Sequence, residues 1–173
     1  MSGLYLEPFL GYRIGKIQRQ ENTQTYKFNT HGQIIGGRVG YNYLYFSSGF
    51  EVNYGEMNAS VKSAPIGTTS ESYTTSGLGV FVNVELPLLF RFWGTYYLSQ
   101  KYENSISEDF NGDGYSLGVG LTTLPFVTIN LEAKYLKFSE IDSTTGTVKL
   151  PTENRSEDDV KEFILSVSMP LVI

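Results

Sequence analysis

The feature that most constrains this chain is an alternation of apolar and polar residues, with a period of two, along almost its whole length. Between residues 4 and 15, the even positions are Leu, Leu, Pro, Leu, Tyr and Ile, whereas the odd positions mix Glu, Arg, glycine and aromatic residues. Successive side chains of a β-strand point to opposite faces, so this pattern predicts a strand whose two faces meet different surroundings.

The same alternation occurs in eight segments of the 173-residue chain. They lie near residues 4–15, 33–43, 46–56, 74–86, 89–102, 114–123, 127–135 and 160–171. Each segment has about ten residues or slightly more, which is the length that a tilted strand needs to cross a bilayer. No apolar run approaches the roughly 18 to 20 residues of a membrane-spanning helix.

The connections between these segments alternate in length. Tight turns are expected around Leu44, Leu86-Pro87-Leu88 and Leu124-Pro125. The connections near residues 16–32, 57–73, 103–113 and 139–159 are longer and rich in polar residues. This asymmetry is typical of outer-membrane barrels. We therefore predict an all-β fold, an eight-stranded antiparallel up-and-down transmembrane β-barrel with short periplasmic turns and long extracellular loops, formed by residues 1–173 as a single domain.

The composition of the polar face decides which side of the strands points inward. This face carries four acids and four bases, and ten glycines lie among its other members. The charged residues are Glu7, Arg13, Arg38, Glu51, Glu85, Arg91, Glu132 and Lys134. Inside a narrow barrel, small residues leave room for long side chains, whereas a face in water would carry further long polar residues. We therefore expect an interior charge network and an apolar face in contact with lipid.

The alternating strands, the turns LPLLF and LPF, and the interior charges resemble the small eight-stranded outer-membrane barrels of Gram-negative bacteria, the OmpA/OmpX-like group. The resemblance covers nearly the whole chain. It implies location in the bacterial outer membrane, contact with its lipids and lipopolysaccharide, contact of the loops with host or other cell surfaces, and a monomer. The chain departs from the group at Pro170-Leu171-Val172-Ile173, where such barrels usually end in an aromatic residue.

Charge and composition exclude several classes of function. The net charge is −5 and the Lys and Arg residues are scattered, which argues against nucleic acid as a partner. The absence of cysteine excludes disulfides and thiol catalysis, and no residue pattern indicates a cofactor. Met1-Ser2-Gly3 leads directly into a strand pattern, so we expect that the leader of an exported chain has already been removed.

Two features bear on catalysis and ion binding. The single histidine, His31, is expected in a loop, because Gln33 stands where a deacylase-like His-x-Ser would need a serine. The motif DFNGDG, residues 109–114, places Asp109, Asn111 and Asp113 as the first half of a calcium loop, but its twelfth position is Gly120. Asn-Gly and Asp-Gly also form turns, so a turn is favoured over a weak cation site.

Acidic residues also collect before the last strand. They are Glu140, Asp142, Glu153, Glu157, Asp158 and Asp159. A solvated surface is the favoured interpretation, and divalent-cation bridging to lipopolysaccharide is the functional alternative.

The sequence thus predicts a non-enzymatic outer-membrane barrel with a structural or surface-contact role in envelope integrity, adhesion or lipopolysaccharide contact. The main alternative is an OmpW-like narrow channel or transporter for small or hydrophobic molecules. An outer-membrane enzyme that acts on lipid A is a third hypothesis. A soluble, lipocalin-like carrier with an inverted polarity is the fourth, although Trp93 lies in mid-chain and no Gly-x-Trp stands near the start.

Overall fold

The structure is a computed structural model that describes residues 2–21, 24–63, 67–86, 89–104, 109–124, 126–143, 146–152, 156 and 158–173. Within these residues the chain forms ten β-strands. Their bounds are β1 Ser2–Glu21, β2 Gln24–Tyr43, β3 Phe46–Ser63, β4 Gly67–Glu85, β5 Phe90–Asn104, β6 Asp109–Leu124, β7 Val127–Ser143, β8 Gly146–Lys149, β9 Asp158–Ser168 and β10 Leu171–Val172. No helix in this part of the chain has the length and hydropathy of a membrane span.

Eight of the strands close into a ring. Each of β1 to β7 pairs antiparallel with the next strand in the sequence. Strand β9 closes the ring, because Ser168 pairs with Thr128 of β7 on one side and with Phe9 of β1 on the other. Strand β10 continues this seam, where the backbone N–H of Ile173 donates to the carbonyl of Leu4 at 2.9 Å. The predicted eight-stranded up-and-down barrel is therefore confirmed.

The two faces of the strands point as the alternation predicted. On β7, Leu131 is 52% exposed on the outside of the barrel, whereas the adjacent Glu132 is 5% exposed and faces the lumen. The same contrast separates Phe163 from Glu162 on β9. Exposed Leu, Val, Ile, Phe and Tyr side chains cover this part of the exterior. Such a surface suits hydrocarbon, and it contradicts a soluble carrier whose apolar strand face points inward.

The strands are much longer than predicted. Strands β1 to β7 have 15 to 20 residues each, and β9 has 11. The prediction of four long polar loops is therefore wrong, because most of their residues form paired strand. The motif at residues 109–114 belongs to β6, so it is neither a turn nor a calcium loop. A barrel crosses the membrane with about 9–11 residues per strand, and the remainder of each long strand extends beyond it.

The physical reason is that the period of two continues past the membrane while the apolar and polar faces exchange places. We call the half of the barrel nearer the short turns the lower half and the other the upper half. On β3, Val52 and Tyr54 point outward in the lower half, whereas the next outward residue, Glu56, begins the upper half. In the upper half, Met57 and Ala59 are buried inside the barrel. Beyond the hydrocarbon the exterior meets water, so the interior must supply the apolar core.

Strand β5 contains an irregularity that breaks its alternation. Strict alternation from Arg91 would place Ser99 on the inner face, but Ser99 is exposed, and Gln100 is fully buried instead. The register of β5 shifts against both neighbouring strands at this point, which is a β-bulge with one extra residue. The bulge lets Gln100 and Tyr102 face the lumen in the upper half of the strand.

The short turns lie at the opposite end of the barrel from the extended hairpins. Leu44, Leu89 and Phe126 each have a positive φ, at 58°, 68° and 74°. Bulky residues rarely adopt this left-handed conformation, and here it reverses the chain within a few residues. Residues 87, 88 and 125 of the predicted turns lie outside the described part of the chain.

Candidate functional site in the barrel interior

Arg38 is the centre of the interior charges. Its guanidinium contacts Glu51 at 2.7 Å, Glu7 at 3.2 Å and Glu132 at 3.3 Å. Glu7 and Glu51 are the direct cross-strand partners of Arg38 on β1 and β3, so two of these contacts follow from the strand register. The third contact crosses the lumen to β7. One cation thus joins four strands of the barrel.

Arg91 forms a second cluster nearer the short turns. It pairs with Glu7, and it also donates to Asn130 at 2.8 Å, Ser168 at 3.0 Å and the hydroxyl of Tyr5 at 3.1 Å. Because Glu7 accepts from both Arg38 and Arg91, the two clusters form one continuous network.

Lys134 lies above Arg38, and its ammonium group is held without a direct carboxylate contact in the described structure. The ammonium donates to Gln100 at 2.7 Å and lies 3.8 Å from the centre of the Tyr97 ring. The hydroxyl of Tyr97 in turn donates to Glu51 at 2.6 Å and lies 3.3 Å from a carboxylate oxygen of Glu132. Tyr97 therefore connects the lysine to the carboxylates that Arg38 binds.

Arg13 belongs to a third cluster, which contains an acid that the sequence analysis did not include. Glu162 lies 3.9 Å from Arg13 and accepts from the hydroxyl of Tyr102 at 2.9 Å. Arg13 also donates to Thr75 at 2.6 Å. The alternation along β9 predicts that Glu162 points into the lumen, because this residue directly precedes the outward-facing Phe163. The sequence pattern could therefore have identified it.

Glu85 is the one predicted network residue that the structure places apart from the others. It is half-buried at the turn end of β4 and forms no ion pair with any residue the structure describes. Its register partner is Arg91, but the Arg91 guanidinium is directed to Glu7. Among the described residues, the buried lumen contains the acids Glu7, Glu51, Glu132, Glu162 and Asp158 and the bases Arg13, Arg38, Arg91 and Lys134, and the fifth acid, Asp158, contacts the partly exposed Arg19 at 3.1 Å.

Aromatic rings fill the space between the charges. The Trp93 ring lies between Arg38, at 4.6 Å, and Arg91, at 5.0 Å. A side chain at Gly118 would overlap this ring, which explains why the neighbouring strand has glycine there. The sequence analysis expected glycines to make room for large interior side chains, and Gly118 does so for Trp93.

The upper half of the lumen has a different filling that the sequence analysis missed. It is an apolar core of buried residues, which we call the outer core. Its members are Ile17, Met57, Ala59, Tyr73, Tyr97, Tyr102, Phe110, Leu136, Phe138, Ile141, Leu150 and Val160. A cavity within it has a volume of about 20 Å³, which is room for about one water molecule.

Several charges of the upper exterior are paired. Lys101 contacts Glu103 at 2.7 Å and Asp109 at 2.9 Å, and hydrogen bonds to these two carboxylates raise the pKa of its ammonium group. Lys149 contacts Glu140 at 3.3 Å. The predicted acidic cluster is therefore partly neutralised and divided between strands, while Glu153 and Glu157 lie outside the described residues.

The described residues contain no group of three or more His, Asp or Glu side chains that could hold a metal ion. Asp142 accepts from Asn111 at 2.8 Å, and Asp113 accepts from Tyr96 at 3.1 Å. His31 is a strand residue rather than the expected loop residue. It is exposed on the outer face of β2, with Ile14 and Asn58 as register partners.

Comparison with known proteins supports the fold. No family model matches the chain, and no curated protein sequence matches it. Neisserial surface protein A (NspA) is similar in structure, with a TM-score of 0.53, 13% identity and 98% of both chains covered. OprG, an outer membrane protein from Pseudomonas aeruginosa, has a TM-score of 0.56 and 10% identity, and the match covers 99% of this chain and 97% of that one.

A third similar structure is Ail, the attachment invasion locus protein of Yersinia pestis, in complex with the heparin analogue sucrose octasulfate. Its TM-score is 0.58 at 9% identity, with 98% of this chain and 99% of that chain covered. Identities this low show the fold alone. Together with the closed ring and the apolar exterior, the likeness identifies the fold of this chain as that of the small eight-stranded β-barrels of bacterial outer membranes.

Proposed function

We propose that this barrel is a non-enzymatic outer-membrane protein with a structural and surface-contact role, in which the interior is a plug and the extended hairpins form the contact surface. The interior charges serve to fill and lock the barrel rather than to bind a solute. This function requires a lumen closed to water and an exposed surface above the membrane.

The observation that carries the proposal is the filling of the lumen at two levels. The salt-bridged network around Arg38 occupies the lower half, and the outer core occupies the upper half. An eight-stranded barrel has room for side chains but little room for anything else. Solutes therefore have no continuous aqueous path.

The extended hairpins support the second part of the proposal. Strands of 15 to 20 residues raise a paired, polar-faced surface above the membrane. The similar Ail structure contains a bound heparin analogue, and this supports surface contact as the role for the present barrel. In the described residues, no hydrogen bond or ion pair joins the exposed His31 to an acid or a serine, which favours a non-enzymatic role.

Two measurements test this proposal. We expect no conductance above the baseline when the refolded chain is added to planar lipid bilayers, and we expect weakened envelope integrity or adhesion in cells that lack it. Steady single-channel currents from the unmodified chain would contradict the plug. Unchanged detergent sensitivity and unchanged cell binding in the deletion strain would together contradict the structural and surface-contact roles.

The alternative function is a narrow channel or transporter for small or hydrophobic molecules. The observation in its favour is that Arg38 contacts three carboxylates, since an exchange of partners would open a path. Arg38→Ala and Glu132→Ala should then change the conductance of the barrel. Equal, absent currents for these variants and the unmodified chain would remove this alternative.

A further inference from the structure

Three lysines form a cationic surface on the outside of the barrel where the first and last ring strands meet. Lys16 of β1 and Lys161 of β9 are direct register partners, and both side chains are exposed. Lys27 of β2 is exposed on the same face and pairs with Gln18, two residues beyond Lys16. We call Lys16, Lys27 and Lys161 the basic flank.

The basic flank does not stabilise the barrel by internal pairing. None of its three lysines forms an ion pair with a residue that the structure describes. By contrast, Lys101, Lys149 and Arg19, on the same half of the molecule, each contact a carboxylate within 3.3 Å. Like charges directly opposite each other on paired strands are destabilising, so the Lys16–Lys161 pair needs another explanation than stability.

The position of the basic flank indicates what it meets. One step below Lys16 and Lys161 toward the membrane, the outward residues become apolar: Ile14 precedes Lys16, and Phe163 follows Lys161, whereas Asn29 lies below Lys27. These apolar residues and all three lysines line a groove with a volume of about 600 Å³. The groove therefore has an apolar floor at the edge of the hydrocarbon and ammonium groups at the level of the lipid headgroups.

We propose that the basic flank binds the phosphate groups of a phosphorylated glycolipid in the outer leaflet, whose acyl chains lie along the apolar strands below. Lysine ammonium groups attract phosphate as point charges. A phosphate that lies between Lys16 and Lys161 would also relieve the repulsion between these two residues. The inference deepens the proposed surface role and rests on the same placement in the membrane.

The other charged or titratable groups facing this groove leave it cationic. Among the described residues that line it, Asp159 is the one carboxylate, and one of its oxygens accepts from the hydroxyl of Tyr135 at 2.8 Å. The Lys161 ammonium lies 5.7 Å from the Tyr135 ring, a contact that leaves its charge available. Three cations against one acid favour an anionic lipid over a cationic partner.

The test is a titration of the refolded chain in nonionic detergent micelles with bisphosphorylated lipid A, followed by amide chemical shifts. We expect the shifts to concentrate on β1, β2 and β9 around the basic flank. Substitution by Lys16→Gln, Lys27→Gln and Lys161→Gln should weaken binding about fivefold per lysine, and about a hundredfold together. The matched control is Lys101→Gln with Lys149→Gln, which removes paired lysines and should leave binding unchanged.

Each other outcome contradicts the proposal. Equal affinity of the triple variant and the control would show that the lysines do not bind the lipid, provided that both migrate as folded barrels on unheated gels. Equal binding of dephosphorylated lipid A would exclude phosphate recognition. Inorganic phosphate or a heparin fragment that binds as tightly as lipid A would assign the flank to a free anion or a glycan. Bilayer conductance does not depend on these results, so failure here leaves the proposed plug intact.

Discussion

At the scale of single residues, the interior shows why buried charges in a barrel act as sets. Arg38 contacts three carboxylates, so neutralising any one of these acids cannot compensate for the loss of Arg38. The Arg13–Glu162 pair is simpler, because each is the other's nearest opposite charge among the described contacts. A charge without its partner in a low-dielectric lumen retains the full desolvation penalty, whereas loss of both charges removes the penalty with the attraction.

We therefore predict that Arg13→Met lowers the free energy of unfolding by about 3–5 kcal/mol. The double variant Arg13→Met with Glu162→Gln should recover most of that loss. Urea titration of the barrel in lipid vesicles, read by the migration of unheated samples on gels, measures both values. If the losses of stability from Arg13→Met and from Glu162→Gln simply add in the double variant, the two residues are not coupled. That result would contradict an ion pair between them.

At the scale of the strand, the sequence predicted which side chains face the lumen better than it predicted where each strand ends. The faces of β3 and β7 were predicted correctly in the lower half, because Glu51 or Glu132 between apolar neighbours leaves one choice of inner face. The ends were predicted too early. At Glu56 the outward residue becomes polar while Met57 turns inward, so a search for one constant apolar face stops there although the strand continues.

The same comparison explains what could and could not be predicted of the candidate site. The alternation of inward and outward side chains is enough to predict the acids and bases that line the lower half, and Glu162 could have been found by the same rule. The contact of Arg38 with Glu132 could not, because it depends on the curvature that brings β2 and β7 across one lumen. Gln100 was hidden by the bulge in β5, for which the residues around Ser99 give no specific signal.

The bulge gives a prediction at this scale. Deletion of Ser99 removes the extra residue and returns β5 to regular pairing, with Tyr97 and Gln100 still facing inward, so this variant should fold. Deletion of Thr95 can be absorbed only by loss of the bulge, and the residues between the two positions then change faces, so that Tyr97 points to lipid while Tyr96 and Leu98 point into the lumen. We expect that only the Ser99 deletion shows heat-modifiable migration after refolding into vesicles. Folding of both deletions, or of neither, would contradict the assignment of the bulge.

At the scale of the whole molecule, the barrel is two different structures stacked on one ring of strands. The lower half has a polar inside and an apolar outside, as a body immersed in lipid requires. The upper half has an apolar inside and a polar outside, as a small water-exposed β-protein does. Continuous hydrogen-bonded strands join the halves, so the outer core supports the plug below it.

Two leucines of β7 test this arrangement directly. Leu136 is fully buried in the outer core, so Leu136→Ala should cost about 2–5 kcal/mol of unfolding free energy. Leu131 faces lipid, and Leu131→Ala leaves no internal cavity, so it should cost clearly less. The same urea titration in vesicles measures both. A larger loss for Leu131→Ala than for Leu136→Ala would invert the assignment of inside and outside.

The seam between β1 and the last strands has a consequence for how the protein is made. Phe9 pairs with Ser168, and Leu4 exchanges backbone hydrogen bonds with Ile173, so the first and last strands of the barrel are neighbours. Until β9 is in place, β1 and β7 each present a row of unpaired backbone amide groups that hydrocarbon cannot solvate. Closure of the barrel in the bilayer must therefore await the synthesis of β9, and the unfolded strands need protection from aggregation in water until then.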